Sequence, residues 1–316
     1  MTTVGQPVRE PAAPVPLGTA AKLGGLGFLM VAALAWGLNW PVLKFLMGDW
    51  PPFTFRVIGA IGAVALLLLV AWRQGDPLAP PAGQWGRLSV AAVLNVTSWG
   101  GMAPLALMWL GAAEAAIIAY TMPVWAMLMA WPVLGERPTA PRLLGLVCGL
   151  SGMALLMAGP ALAAVSAEGA PWSDTKLPGL AAILVTALMF AGGAVFTKRC
   201  PIEMPPMPLA AWQIVIGMIP VAVMAWALEP RIALGDITAL GWGCIIYVGL
   251  IAQAVAYLAW FRALKRLPAS TATIGALLAP VVGVLGSGLI LGEPLEWRHA
   301  VALVLVLAGM LLATRG

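Results

Sequence analysis

Pro, Gly and charged residues cut this chain into ten stretches of mostly apolar residues, each about 20 long. They fall at 24–46, 53–72, 87–109, 112–134, 140–160, 178–200, 206–228, 237–262, 269–291 and 297–314. Few folds are open to such a chain. Hydrocarbon offers nothing to backbone N–H and C=O groups, so stretches this long and apolar cross a bilayer as helices. The composition agrees: 62% of the 316 residues are hydrophobic and 9% charged, against about 25% charged in soluble domains. The expected fold is an all-α integral membrane protein of ten transmembrane helices, with short connectors that make consecutive helices antiparallel neighbours.

The basic residues test this division, because Lys and Arg concentrate on the cytoplasmic side of membrane proteins. With ten spans both termini share one side. That side holds Arg9, Lys22, Arg73, Arg87, Arg137, Arg142, Lys198, Arg199, Arg262, Lys265, Arg266 and Arg315. The other holds Lys44, Lys176, Arg231 and Arg298, with Arg56 just inside the second span. A wrong span count would scramble this asymmetry, so both termini are expected in the cytoplasm, in a multi-pass protein of a bacterial inner membrane. The net charge of +5 is spread between apolar segments and gives no reason to expect a nucleic-acid partner. Cys148, Cys200 and Cys244 lie far apart without metal-ligand spacing, so neither a metal site nor a disulfide framework is expected. Residues 1–22, rich in Pro, Ala and Thr, read as a disordered cytoplasmic tail. The apolar run after them is too long for a cleaved leader.

The chain also repeats itself. "ALMWLGAAEAAIIAYTMPVW" (106–125) matches "ALKRLPASTATIGALLAPVV" (263–282) at nine of twenty positions. At the same offset Leu134-Gly135-Glu136 aligns with Leu291-Gly292-Glu293, and Gly152-Met153 with Gly309-Met310. Upstream, at a slightly different offset, Gly25-Leu26 pairs with Gly179-Leu180, Lys44 with Lys198, and Pro51-Pro52 with Pro205-Pro206. Two units follow, 23–160 and 178–316, joined by an extracytoplasmic linker at 161–177. Each holds five spans, an odd number, so the second enters the membrane upside down relative to the first. Inverted repeats are a mark of secondary transporters, in which two similar halves exchange conformations.

Two five-helix repeats, each with a "P…LGE" fourth span and a Gly-rich fifth, resemble the drug/metabolite transporter superfamily of EamA type, over essentially the whole chain after residue 22. The Trp-rich profile and the size resemble its aromatic amino acid exporter branch. The resemblance implies ten helices around a central substrate cavity, walled in part by the fourth and ninth helices, and an export function.

The polar residues inside the spans are the candidate binding groups. In "LAWGLNWPVLK" (34–44) Trp36, Asn39 and Trp40 share one helix face, and Pro41 removes a backbone donor beside them. Asn95 and Trp99 lie one turn apart in the third span. Tyr120 precedes Pro123 and Trp125 in the fourth, Trp212-Gln213 mark the seventh, and Gln253, Tyr257 and Trp260 follow helical spacing in the eighth. A single Asn or Gln in a membrane helix serves equally well as a bond between helices. The recurrence of amide–aromatic pairs away from the span ends favours a site for a ligand with a flat apolar body and a small polar head. Pro123 and Pro280 occupy matching places in the repeats and are candidate bending points.

No Asp or Glu stands at the centre of a span, so the buried carboxylate of a proton relay or an organic-cation site is lacking. Deep Lys or Arg is lacking too, apart from Arg56 and Lys44 near the outer surface, which disfavours sugar-phosphate cargo. A zwitterionic or neutral small molecule remains, moved without a cofactor and without a proton. Three other readings stay open: proton-coupled export of neutral metabolites or drugs, a receptor or scaffold without flux, and an enzyme. The enzyme would need a His, Asp and Glu cluster that a chain with one His, His299, does not offer.

Overall fold

The computed structural model describes residues 19–137, 139–166, 175–267, 271 and 275–313. Most of the expected tail, the middle of the expected linker and most of the first turns of the expected ninth span lie outside the described residues. The described chain is helical throughout, in ten segments: α1 (Thr19–Leu46), α2 (Pro52–Gln74), α3 (Trp85–Leu107), α4 (Ala112–Leu134), α5 (Ala140–Ser166), α6 (Leu177–Arg199), α7 (Pro206–Leu228), α8 (Ala239–Leu264), α9 (Leu278–Leu291) and α10 (Trp297–Ala313). Among the described residues seven of these, α1 to α4 and α6 to α8, are long and apolar enough to cross a membrane; α5, α9 and α10 present shorter apolar stretches. Large apolar side chains face outward, with Leu289 87% and Ile61 68% exposed. That arrangement is stable only against lipid.

The LGE motif has a local cause. Gly135 and Gly292 end α4 and α9 with φ of 73° and 67°, the left-handed conformation in which a Cβ would be strained. Each glycine stops its helix and turns the following glutamate across the molecule. Glu293 accepts backbone N–H bonds from Ala112 at 2.7 Å and Ala113 at 3.1 Å, at the start of α4. Glu136 accepts from the Lys198 ammonium at the end of α6.

Small residues let these helices approach closely. In the first half of α4, Ala112, Ala113, Ala115, Ala116 and Ala119 are buried at the centre of the largest apolar cluster, with Trp40 and Leu43 of α1 and Leu180 and Ile183 of α6. The helix contacts fall into pairs five helices apart. α1 packs on α9 as α6 packs on α4, and α1 on α8 as α6 on α3. α2 meets α8 as α7 meets α3, while α2 with α7 and α5 with α10 are their own counterparts. In the last pair the Cβ position of Gly152 lies 2.9 Å from the Ala302 carbonyl, and that of Gly309 lies 2.8 Å from the Gly145 carbonyl.

The third helix of each half departs from α geometry at the same place. α3 is π-helical over Val93–Met102, and α8 over Tyr247–Val255. Such segments carry wider turns and concentrate at functional sites. The proline-bearing helices are not alike. α1 stays helical through Pro41, whereas α4 is interrupted at Tyr120-Thr121 and resumes at Met122 with Pro123 in its first turn, where the missing N–H costs nothing. Before Pro280 a turn at Leu277 precedes Leu278, so each proline lies in the first turn of a helical segment that follows a break.

Candidate functional site

α1, α3, α6 and α8 assemble two groups of rings, one at Trp36 and one at Trp40, with Asn39 between them along α1. Trp36 lies edge-on to Tyr257 at 5.8 Å and tilted to Trp260 at 5.7 Å, and Tyr257 stacks on Phe261 at 6.4 Å. One turn along α1, Trp40 lies edge-on to Trp99 at 5.5 Å, and Trp99 edge-on to Phe190 of α6 at 5.8 Å. Between Trp36 and Trp40, Asn39 buries its Oδ1 without a hydrogen-bond partner among the described residues; so does Gln253 Oε1 in the π segment of α8. A buried acceptor left unmade costs about 1–3 kcal/mol. The Tyr247 hydroxyl, in the same π segment, donates to the Ala35 carbonyl at 3.1 Å and ties α8 to α1 beside the rings.

The other sequence-predicted residues are placed differently. Asn95 donates from Nδ2 to Gln213 Oε1 at 3.1 Å, so these two amides satisfy one another across α3 and α7. Trp212 lies farther along, its indole N–H donating to the Leu78 carbonyl at 2.7 Å and its ring edge-on to Trp85 at 5.2 Å. Tyr120 is buried in the central cluster, and Trp125 donates from Nε1 to Thr121 Oγ1 at 3.0 Å at the break in α4. The structure thus gathers Trp36, Asn39, Trp40, Trp99 and Tyr257, adds Gln253 as a second unpartnered amide, and leaves Trp212 outside.

A recess of about 250 Å³ opens between α4 and α6, lined by Pro123, Met127, Ala130 and Leu134 on one side and Ala194 and Lys198 on the other. Glu136 and Arg142 stand in its wall. Of the residues singled out from the sequence only Pro123 lines it. The Lys198 ammonium holds the Glu136 carboxyl below its ordinary pKa by donating a hydrogen bond to it. At the corresponding place on the other half, Lys44 donates to the Leu110 carbonyl at 3.0 Å and to the Leu107 carbonyl, at the end of α3.

Phe190 and Tyr247 were not singled out by sequence. A signal existed for Phe190: at the offset pairing Lys44 with Lys198 it corresponds to Trp36, and Trp36–Tyr257 and Phe190–Trp99 are counterpart contacts of α1 with α8 and α6 with α3. Arg56, expected just inside the second span, stands in the second turn of α2 and is 4% exposed.

A helical, lipid-facing chain with a polar cluster inside defines a multi-pass membrane protein of transporter type. The profile of the EamA-like transporter family matches residues 23–158 and again 177–315, so the chain belongs to that family, within the drug/metabolite transporter superfamily. It is 25% identical to the "Uncharacterized transporter YvbV" of Bacillus subtilis, over 91% of this chain and 89% of that one. It is also 25% identical to the "Uncharacterized inner membrane transporter YedA" of Escherichia coli K12, over 92% and 90%. A solved crystal structure shares the fold, with a TM-score of 0.63 at 22% identity, over 94% of this chain and 96% of that one.

Proposed function

We propose that this transporter exports amino acids with aromatic or hydrophobic side chains, or metabolites of similar shape and charge, by alternating access of two inverted five-helix repeats. One observation carries the reading. The buried oxygens of Asn39 and Gln253 accept no hydrogen bond among the described residues, on helices whose Trp36, Trp40, Trp99 and Tyr257 rings are gathered together. Each oxygen is completed by a donor such as a substrate ammonium, while ring faces accept a flat apolar body and attract a cation. The twofold match of the family profile and the paired helix contacts support the repeat. The distribution of basic residues supports cytoplasmic termini. Without a carboxylate at the centre of any span, the substrate moves down its own gradient and no proton is coupled. The chain is a carrier in this reading, its partners the lipid bilayer and a zwitterionic or neutral small molecule.

The test is release of labelled Phe, Trp, Leu and Thr from loaded proteoliposomes, with wild type, Asn39→Ala and Gln253→Ala compared. Flux that prefers the aromatic acids and falls in both variants is expected. Flux of none of the four would remove the amino-acid assignment, and an acid-inside gradient that drives uphill flux would remove the uncoupled mechanism.

A further inference from the structure

Arg56 stands in the second turn of α2, and its side chain is 4% exposed. Its Nη2 donates to the Trp99 carbonyl at 2.6 Å, inside the π segment of α3, and its Nε has no partner. Among the described residues no carboxylate forms an ion pair with it. The acid that meets the start of α2 is already engaged: Glu229, at the end of α7, takes the Phe53 and Thr54 backbone N–H groups and the Thr54 hydroxyl, each at 2.7 Å. A guanidinium keeps its charge at every pH a protein meets and presents five donors in a planar fork. Buried with one bond made and no counter-ion, it is an unfinished ion pair. Lys44, the other cation drawn into the outer half, differs because two backbone carbonyls already receive it.

We propose that Arg56 is the receptor for the carboxylate of the transported molecule, which makes carboxylate-bearing aromatic compounds the substrate class. The inference rests on the export reading above and adds to it the second half of the zwitterion. The carbonyl that holds Arg56 belongs to Trp99, whose ring stands between Trp40 and Phe190. The guanidinium is thereby fixed to the backbone of a residue whose own ring belongs to the aromatic cluster. Asn39 and Gln253 remain for the ammonium. A carboxylate is planar and matches the fork in a bidentate pair, which an amide or an amine does not.

The experiment compares phenylalanine with phenylalaninamide, which lacks the carboxylate, and 3-phenylpropionate, which lacks the ammonium. Flux is measured in proteoliposomes and thermal stabilisation in detergent, for full-length wild type, Arg56→Gln, Arg56→Lys and the exposed-site control Arg231→Gln. Wild type and the control are expected to prefer phenylalanine over its amide and to be stabilised by 3-phenylpropionate. Arg56→Gln is expected to raise KM for phenylalanine about tenfold, the size of one charge-assisted hydrogen bond, with KM for the amide unchanged and the stabilisation by 3-phenylpropionate lost. Arg56→Lys restores part of both. If Arg56→Gln lowers acid and amide flux by the same factor, Arg56 only pins α3 and the inference falls while the export reading stands. If no compound moves but 3-phenylpropionate still stabilises wild type and not Arg56→Gln, the amino-acid reading falls and the carboxylate site stands. Absence of both flux and stabilisation overturns the two together.

Discussion

Asn95 and Gln213 join α3 to α7 through an amide–amide hydrogen bond at the place where, in the counterpart crossing, Gly59 and Gly249 bring α2 and α8 together backbone to backbone. At the offset that pairs Lys44 with Lys198, Gly59 corresponds to Gln213 and Asn95 to Gly249. Asn95 and Gly249 are each the third residue of their π segments. One crossing is closed by removing side chains and the other is bridged by two of them. The two crossings therefore answer differently to substitution.

At the bridged crossing, Asn95→Ala strands the Gln213 amide. A double-mutant cycle of Asn95→Ala and Gln213→Ala is expected to return a coupling of about 0.6 kcal/mol, the average for interhelical hydrogen bonds in membranes. Reversible unfolding in mixed micelles measures it; a coupling indistinguishable from zero would mean that the two amides bond elsewhere.

The glycine crossing has no such tolerance. A Cβ on Gly249 would stand 2.2 Å from the Gly59 Cα, with only backbone around it, so α2 and α8 must separate. Gly249→Ala is expected to cost more than the usual 1–3 kcal/mol of overpacking, about 3 kcal/mol or above. It should lower the yield of folded protein on size exclusion. Gly24→Ala, with nothing within 4 Å of its Cβ position, is the control.

Asn39 separates binding from folding. Its Oδ1 holds no partner, so Asn39→Ala is expected to leave thermal stability within about 0.5 kcal/mol of wild type while export falls severalfold. A large loss of stability with unchanged flux per folded molecule would return Asn39 to the role that Asn95 plays.

At the other end, Glu293 occupies the N–H groups of Ala112 and Ala113 at the start of α4, where a carboxylate complements the helix dipole. Glu293→Ala is expected to destabilise the protein by about 1 kcal/mol and to raise labelling of a cysteine placed at Gly111 by a membrane-impermeant thiol reagent. Glu293→Gln, which keeps an acceptor, recovers part of the loss.

The Lys198–Glu136 tie predicts a pH dependence. Glu136 titrates lower in the folded protein than when unfolded, so the tie stabilises fully above the unfolded carboxylate pKa and is lost as pH falls through the lowered folded value. The difference in melting temperature between wild type and Lys198→Met is therefore expected in full at neutral pH and should vanish once the pH has fallen through the lowered Glu136 value. A difference that persists in acid would place the contribution of Lys198 elsewhere.

Much of this was legible in the sequence because hydrophobic run length and internal offset are properties of the chain itself. The LGE repeat located two helix ends, and Trp36, Asn39 and Trp40 on one face of α1 led to the aromatic cluster. What sequence could not resolve is which polar residues meet. Asn95 and Asn39 look alike as amides beside tryptophans, yet one finds Gln213 on a helix more than a hundred residues away and the other leaves its Oδ1 without a partner among the described residues. Trp212 pairs with Trp85 at the start of α3, a residue distant in sequence and outside every candidate pair. Arg56 reads as an outer-surface charge because position along a helix shows depth but not which neighbour the side chain reaches.

The third helix of the second half contains 26 residues against 23 in the first. That surplus lies between the Pro51-Pro52/Pro205-Pro206 match and the LGE match, whose offsets differ. The halves thus differ in length inside a helix, and by about 4.5 Å of rise. In the proposed alternating access, two halves of unequal reach cannot trade places and leave the molecule as it was, so its outward and inward forms are two distinct shapes with separate energies.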